Sequence, residues 1–354
     1  MGKVLTIVGA RPQFIKAFPI SEALRGTHEE VLVHTGQHYD EGLSDVFFEE
    51  LAIPEPDHHL GVGSASHATQ TAEMMTGIEA LIEEESPDVV LVYGDTNSTL
   101  AGAIVAAKED VTLAHVEAGL RSRNWSMPEE VNRVLTDHSS DLLFATSEDA
   151  ARNLRAEGIT EGVHVTGDVM QDAILHARDR AAEHSGMPDE LNLSDGEYVL
   201  ATVHRAGNTD DPDRLDAILS GLAASPKPVV FPAHPRTVAA LQEHGLWDRY
   251  ADELRFIEPV GYLDFVRLID GAERVATDSG GVQKEAFYLD TPCVTLRDET
   301  EWTETVEAGW NVLVGADEAA IRGALSGSFE PVSNPPLYGD GTAAETIRDV
   351  LDDA

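Results

Sequence analysis

Cysteine is almost missing from this chain: Cys293 is the single one in 354 residues. One thiol excludes an intrachain disulfide and any zinc cluster built on cysteines. Its place in the apolar run Pro292-Cys293-Val294-Thr295-Leu296 predicts a buried strand residue rather than a nucleophile. Long apolar runs are also missing, and no window approaches the roughly 20 residues that a membrane helix needs. The apolar start Val4 to Val8 is too short for a signal peptide and leads straight into a motif, so a cytoplasmic protein is expected. Cationic charge is scarce as well. Lys and Arg total 24 against 64 Asp and Glu, for a net charge of −40 and a sequence pI near 4.4. Nucleic acid and anionic membrane surfaces would repel such a chain and are excluded as partners. The carboxylates are spread along the whole sequence rather than gathered in a tail. That pattern reads as adaptation to molar salt, where the Debye length shrinks to about 3 Å and self-repulsion is screened. Lysine is confined to Lys3, Lys16, Lys108, Lys227 and Lys284, and Lys16 and Lys284 fall inside motifs.

What is present is an alternation of short β-rich runs with longer amphipathic stretches. Strands are predicted over Val4–Val8, Val31–Thr35, Val89–Tyr93, Leu113–Val116, Leu142–Ala145 and Val163–Thr166. A second series covers Tyr198–Val203, Val229–Pro232, Arg255–Ile257, Arg274–Ala276 and Cys293–Leu296. Helical period fills the gaps, as over Thr69–Glu85, Ser98–Lys108 and Ala173–Glu183, so the sheets should be parallel with right-handed crossovers. His58-His59 reads as a polar loop, with no compact metal-ligand spacing anywhere, and no metal or cofactor is predicted. The expected fold is two doubly wound Rossmann-like domains facing a cleft. Residues 1–170 form the first, with a C-terminal helix over 342–354 packing back on it; residues 171–341 form a nucleotide-binding second domain, hinged near Asp168 to Ala173.

Ligands of open α/β sheets sit beyond the carboxyl ends of the strands, so polar residues placed just there carry the functional reading. After the first strand come Gly9-Ala10-Arg11-Pro12-Gln13-Phe14-Ile15-Lys16. Pro12 suits a first helical turn. Arg11 and Lys16 sit where the helix dipole does not favour cations, which points to an anionic ligand. Gly94-Asp95-Thr96 and His115-Val116-Glu117 follow later strands, and Met127-Pro128-Glu129-Glu130 opens another helix. Asp95 fits either a helix cap or, with Glu117 and Glu129, an acid–base cluster. In the second half His204-Arg205 and His234-Pro235-Arg236 follow strands and suit contacts to phosphate or sugar. Thr277-Asp278-Ser279-Gly280-Gly281-Val282-Gln283-Lys284-Glu285 bridges a strand and a helix. There paired glycines let backbone N–H groups approach an anion, while Glu285, one turn in, can accept from a ribose.

Six of these motifs, all but His234-Pro235-Arg236, in this order and across essentially the whole chain, resemble those of the non-hydrolysing UDP-N-acetylglucosamine 2-epimerases. The resemblance implies the two-domain glycosyltransferase-B fold, a homodimer, a UDP-sugar substrate and no nicotinamide or metal. It implies anti elimination of UDP to a 2-acetamidoglucal, then re-addition with protonation of C2 on the opposite face. By position, Asp95, Glu117 and Glu129 become acid–base residues, and His204 assists at the leaving diphosphate. Arg11, Lys16 and His234 become ligand contacts, Ser279, Gly280 and Gly281 hold diphosphate, and Glu285 holds the ribose. Gln37-His38 and Gln70 lie where a second, regulatory site could form, or are simply polar loop residues. The pattern departs from the family twice, at Gln13 (where many members have Glu) and at Trp302 (where they have Arg). Both departures resemble the branch acting on UDP-2,3-diacetamido-2,3-dideoxy-glucuronate, which stands as the alternative substrate. A glycosyltransferase, a hydrolysing epimerase and a nucleotide-sugar sensor are the more distant alternatives.

Overall fold

The computed structural model describes residues 2–37, 55–109, 111–327, 331 and 335–353. The chain divides into two compact units, Met1–Ala173 with Tyr338–Ala354, and Ile174–Leu337. Among the described residues, no helix is long and apolar enough to cross a membrane.

Among the described residues, the first unit is built on a seven-stranded sheet: β1 (Lys3–Val8), β2 (Glu29–His34), β3 (His58–His59), β4 (Val89–Tyr93), β5 (Thr112–Ala118), β6 (Leu142–Ala145) and β7 (Val163–Val165). Its order is β3-β2-β1-β4-β5-β6-β7, with every pairing parallel. The second unit holds β8 (Val199–Thr202), β9 (Val229–Pro232), β10 (Arg255–Ile257), β11 (Arg274–Thr277), β12 (Cys293–Thr295) and β13 (Asn311–Leu313), ordered β10-β9-β8-β11-β12-β13 and again all parallel. Parallel strands covered by helices on both faces must be apolar throughout, and the five residues of β4 (Val-Val-Leu-Val-Tyr) are all buried. Leu5, Ile7, Val33, Met74, Ile78 and Val92 centre the first core; Leu215, Ile218, Leu219, Phe231, Tyr250 and Ile321 centre the second. Each sheet has one switch point, β1/β4 in the first and β8/β11 in the second, where successive crossovers diverge to opposite faces and leave a crevice.

Two strands differ from the sequence expectation. His58-His59 is not a loop but a two-residue edge strand, with Val33 opposite His58 and His34 opposite His59. Asp57 secures it: its N–H donates to Leu32 O at 2.8 Å and its carboxylate accepts from Leu32 N at 2.8 Å. β13 escaped notice for a similar reason, since three residues carry too little alternation to show a period. The helix expected from Ala173 starts at Val169 and ends at His184.

The last helix, Ala343–Asp352, packs on Arg11–Leu24, and its Ala344 N–H donates to Asp172 Oδ1 at 2.9 Å. Burial pushes the Asp172 carboxyl up to about 6, and its second oxygen is buried without a hydrogen-bond partner. A folded-state value above the unfolded one means the acid is neutral in both states below pH 3.8; stability falls between pH 3.8 and about 6, where only the unfolded carboxyl ionises, and the full loss persists above that. Asp172→Asn is therefore expected to stabilise the protein by about 1–2 kcal/mol at pH 8 and to be neutral at pH 3.5. Denaturant midpoints at the two pH values check this; a loss at pH 8 would show that the ionised form is the better partner for Ala344.

Candidate active site

At the first switch point, the turn from β1 into Arg11–Leu24 is held by Gln13. Its Oε1 accepts from Gly9 N at 2.8 Å and Ala10 N at 3.0 Å, while Nε2 donates to Tyr93 O at 2.7 Å and Thr99 Oγ1 at 3.0 Å. A carboxylate in its place would lose both donated bonds. Gln13 is thus a buried structural amide. Gly9 is required because a Cβ there would stand 2.0 Å from Ser98 Oγ and 2.2 Å from Thr35 Oγ1. Arg11 opens the helix, and its side chain lies outside the described part.

Lys16 finds its anionic partner within the protein: Nζ donates to Glu117 Oε2. Burial alone would lower the Lys16 ammonium, but Glu117, then Asp168 and Asp95, more than offset it and leave it raised. Glu117 adopts φ +72°, in the left-handed region that a side-chain-bearing residue enters only when its surroundings compel it. The cause is a register shift in the β5–β6 pairing between Val116 and Ala118, which turns Glu117 out of the sheet. Gly94, at φ +61°, passes close below; a Cβ on it would lie 3.1 Å from Glu117 Oε2 and 3.6 Å from Lys16 Nζ.

Asp95 does not cap the next helix. Thr96 does, accepting from Thr99 N, whereas Asp95 Oδ2 accepts from Arg133 Nη2 and Asp95 O from Asn132 Nδ2 at 2.9 Å. Asp95, Glu117 and Lys16 thus meet at the ends of β4 and β5. Glu129 stands exposed on the first turn of Pro128–Asp137, whereas its neighbour Glu130 is buried and accepts from Ser122 N, Ser122 Oγ and Arg123 N at 2.7–2.9 Å. Gln37 and Gln70 are not loop ornaments. Gln37 Oε1 accepts from Ser98 N and Oγ, and Gln70, on the helix His67–Glu85, donates to Gly63 O and accepts from Asn97 Nδ2. His38 lies outside the described residues.

At the second switch point the centre is Asp278, fully buried at the end of β11. It accepts from His204 N (3.1 Å), Arg205 N (3.0 Å) and Asn208 Nδ2 (3.1 Å), so it ties the turn after β8 to β11. Its Oδ1 also lies 3.3 Å from His204 Nδ1, while the His204 ring is 42% exposed. Ser279 caps the helix Gly280–Tyr288 by accepting from Val282 N, so Gly280 and Gly281 present that helix's first N–H groups. Trp302 leans on the same end, with Nε1 donating to Gly280 O at 2.8 Å and Lys284 Nζ 4.5 Å above its ring. Glu285 is one turn along. His234 caps Pro235–Glu243 by accepting from Arg236 N at Nδ1, 3.1 Å away, which leaves Nε2 to donate if the ring is neutral. A pocket of about 200 Å³ opens among Thr202, His204, His234, Pro259, Phe265 and Val282, large enough for a flat heterocycle.

The side chains that sequence reasoning missed are the ones beneath the surface. Asp278 was detectable, as an Asp at a strand end beside the glycine pair. Asp137, which accepts from Arg121 Nη1 (2.6 Å) and Gly119 N (3.2 Å), has no local signal in the sequence. Among the described residues, no group of His, Cys, Asp and Glu could hold a metal ion.

A family model described as UDP-N-acetylglucosamine 2-epimerase matches residues 22–352. A Methanococcus maripaludis protein named UDP-N-acetylglucosamine 2-epimerase homolog is 49% identical over 354 residues, 99% of each chain. UDP-2,3-diacetamido-2,3-dideoxy-D-glucuronate 2-epimerase of Pseudomonas aeruginosa is 47% identical over 361 residues, again 99% of each. The structure of UDP-GlcNAc 2-epimerase from Methanocaldococcus jannaschii matches with a TM-score of 0.90 at 42% identity, covering 99% of this chain and 100% of that one.

Proposed function

The chain belongs to the UDP-N-acetylglucosamine 2-epimerase family, and we propose that it interconverts UDP-N-acetylglucosamine and UDP-N-acetylmannosamine as an isomerase of the glycosyltransferase-B fold. The observation that carries this reading is the meeting of Asp95 and Glu117 around Lys16 at the first switch point. Epimerising C2 requires a carboxylate to remove a weakly acidic C–H proton and an acid to return one to the other face. In the forward step a base takes the C2 proton, the C1–O bond breaks, and UDP leaves with its electron pair, giving a 2-acetamidoglucal. UDP then attacks C1 while C2 is protonated on the opposite face. Asp95, Glu117 and Glu129 act as the acid–base set, with Lys16 and Arg133 holding the first two in place. Departing UDP places its charge at Ser279, Gly280 and Gly281, where the helix N-terminus stabilises it, with His204 assisting. Glu285 accepts from the ribose, and Arg11 and His234 complete the ligand contacts.

A second reading, the diacetamido uronic acid nucleotide, is favoured by one observation: Trp302 occupies the Arg position of many family members and carries Lys284 against its face. A uronate carboxylate calls for a cation, and the Pseudomonas relative bears that substrate in its name. Comparing kcat/KM for the two nucleotide-sugars separates them. At least tenfold preference for UDP-N-acetylglucosamine is the expected result; the reverse preference would move the assignment to the uronate.

We further propose a cytoplasmic homodimer adapted to molar salt. With a net charge of −40, transfer from about 2 M KCl to 50 mM is expected to lengthen the screening distance several-fold and loosen the fold. Near-UV circular dichroism should be lost on dilution and regained on restoring salt. A spectrum indifferent to salt would refute the adaptation.

A further inference from the structure

His115 is fully buried in the middle of β5, two residues before Glu117. Its Nδ1 lies 2.7 Å from Asp137 Oδ1 and its Nε2 lies 2.8 Å from Gly94 O. A carbonyl oxygen can only accept. Asp137 is held as an acceptor too: its other oxygen already receives Gly119 N and Arg121 Nη1. Burial alone would raise the Asp137 carboxyl, but the bonds from His115 and the Arg121 charge outweigh it and hold it below the usual carboxylate value. A neutral imidazole has one N–H, which would leave a ring lone pair facing one of these oxygens in a dry interior. With Asp137 ionised, a ring with a proton on each nitrogen satisfies both.

Gly94 is the residue whose left-handed turn aims Asp95, and its own N–H donates to Val116 O at 3.0 Å. β5 therefore grips Gly94 from both sides, through a backbone carbonyl and through the His115 ring. We propose that His115 is a positioning residue for the epimerisation, a doubly protonated imidazole that clamps the Gly94 carbonyl and so fixes where Asp95 stands. The cation is balanced by Asp137, whose remaining oxygen pairs with Arg121; Glu117 follows on the same strand. The kinetic half of this proposal rests on the epimerase reading, and the protonation half does not.

Neutron diffraction from crystals exchanged into D2O is expected to show deuterium on both Nδ1 and Nε2 of His115. Deuterium on one nitrogen alone would overturn the proposal, whether or not the protein epimerises anything. For the kinetic half, His115→Gln in molar KCl is expected to lower kcat by ~100-fold, because a displaced base loses its aim. KM for UDP-N-acetylglucosamine should stay within about three-fold and UDP affinity should not change, since the nucleotide contacts lie on the other unit. A folded variant with native kcat, or one losing KM and kcat alike, would also overturn it. If the variant does not fold, the neutron result on the native protein decides. No turnover by the native protein would instead count against the epimerase reading and leave that neutron result standing.

Discussion

Glu117→Gln is expected to lower kcat by ~10³-fold with little change in KM or in the folded state. The amide keeps the size and shape of the carboxylate, so the bulged turn at φ +72° survives. What disappears is the base and the partner of Lys16. Lys16 keeps Asp95 and Asp168 as neighbours, so its buried charge is not stranded. Loss of proton transfer without loss of binding is the signature of a group acting in the transition state. Steady-state rates together with isothermal titration of UDP would show it. If kcat drops less than tenfold, Glu117 is the counter-ion of Lys16 and the base lies elsewhere.

Asp278→Ala carries the second large effect. Three donors aim at this carboxylate from His204 N, Arg205 N and Asn208 Nδ2, in a fully buried position. Removing the acceptor leaves them unsatisfied, at a destabilisation of about 3–5 kcal/mol. The turn that presents His204 should move with it, and UDP binding should weaken by at least ~100-fold, the equivalent of roughly 3 kcal/mol. Asp278→Asn restores an acceptor but sets an NH2 against N–H donors, so partial recovery is expected. Denaturation midpoints and UDP titration of both variants provide the check. Native UDP affinity in the alanine variant would mean that the β8 turn holds itself.

The strand ends were legible in the sequence because parallel strands need uninterrupted apolar runs, and a motif placed right after such a run is conspicuous. Gly94-Asp95 and Ser279-Gly280-Gly281 announce themselves in this way. The supporting layer was not legible. Asp137 acts through partners 16 to 22 residues away, and nothing local in the chain records those distances. Two-residue β3 and three-residue β13 are too short to carry a period. Gln13 has a role that the sequence did not show. The resemblance marks it as a departure, and its four hydrogen bonds, two of them to residues 80 and 86 positions away, show a structural amide.

The most direct test is proton NMR of the purified protein in D2O with molar KCl and UDP-N-acetylglucosamine. Deuterium entering C2 in step with the appearance of UDP-N-acetylmannosamine, without free sugar, is the expected result. A folded protein that leaves C2 protonated and forms no second epimer, on this nucleotide-sugar and on the diacetamido uronate alike, would contradict epimerisation at this site.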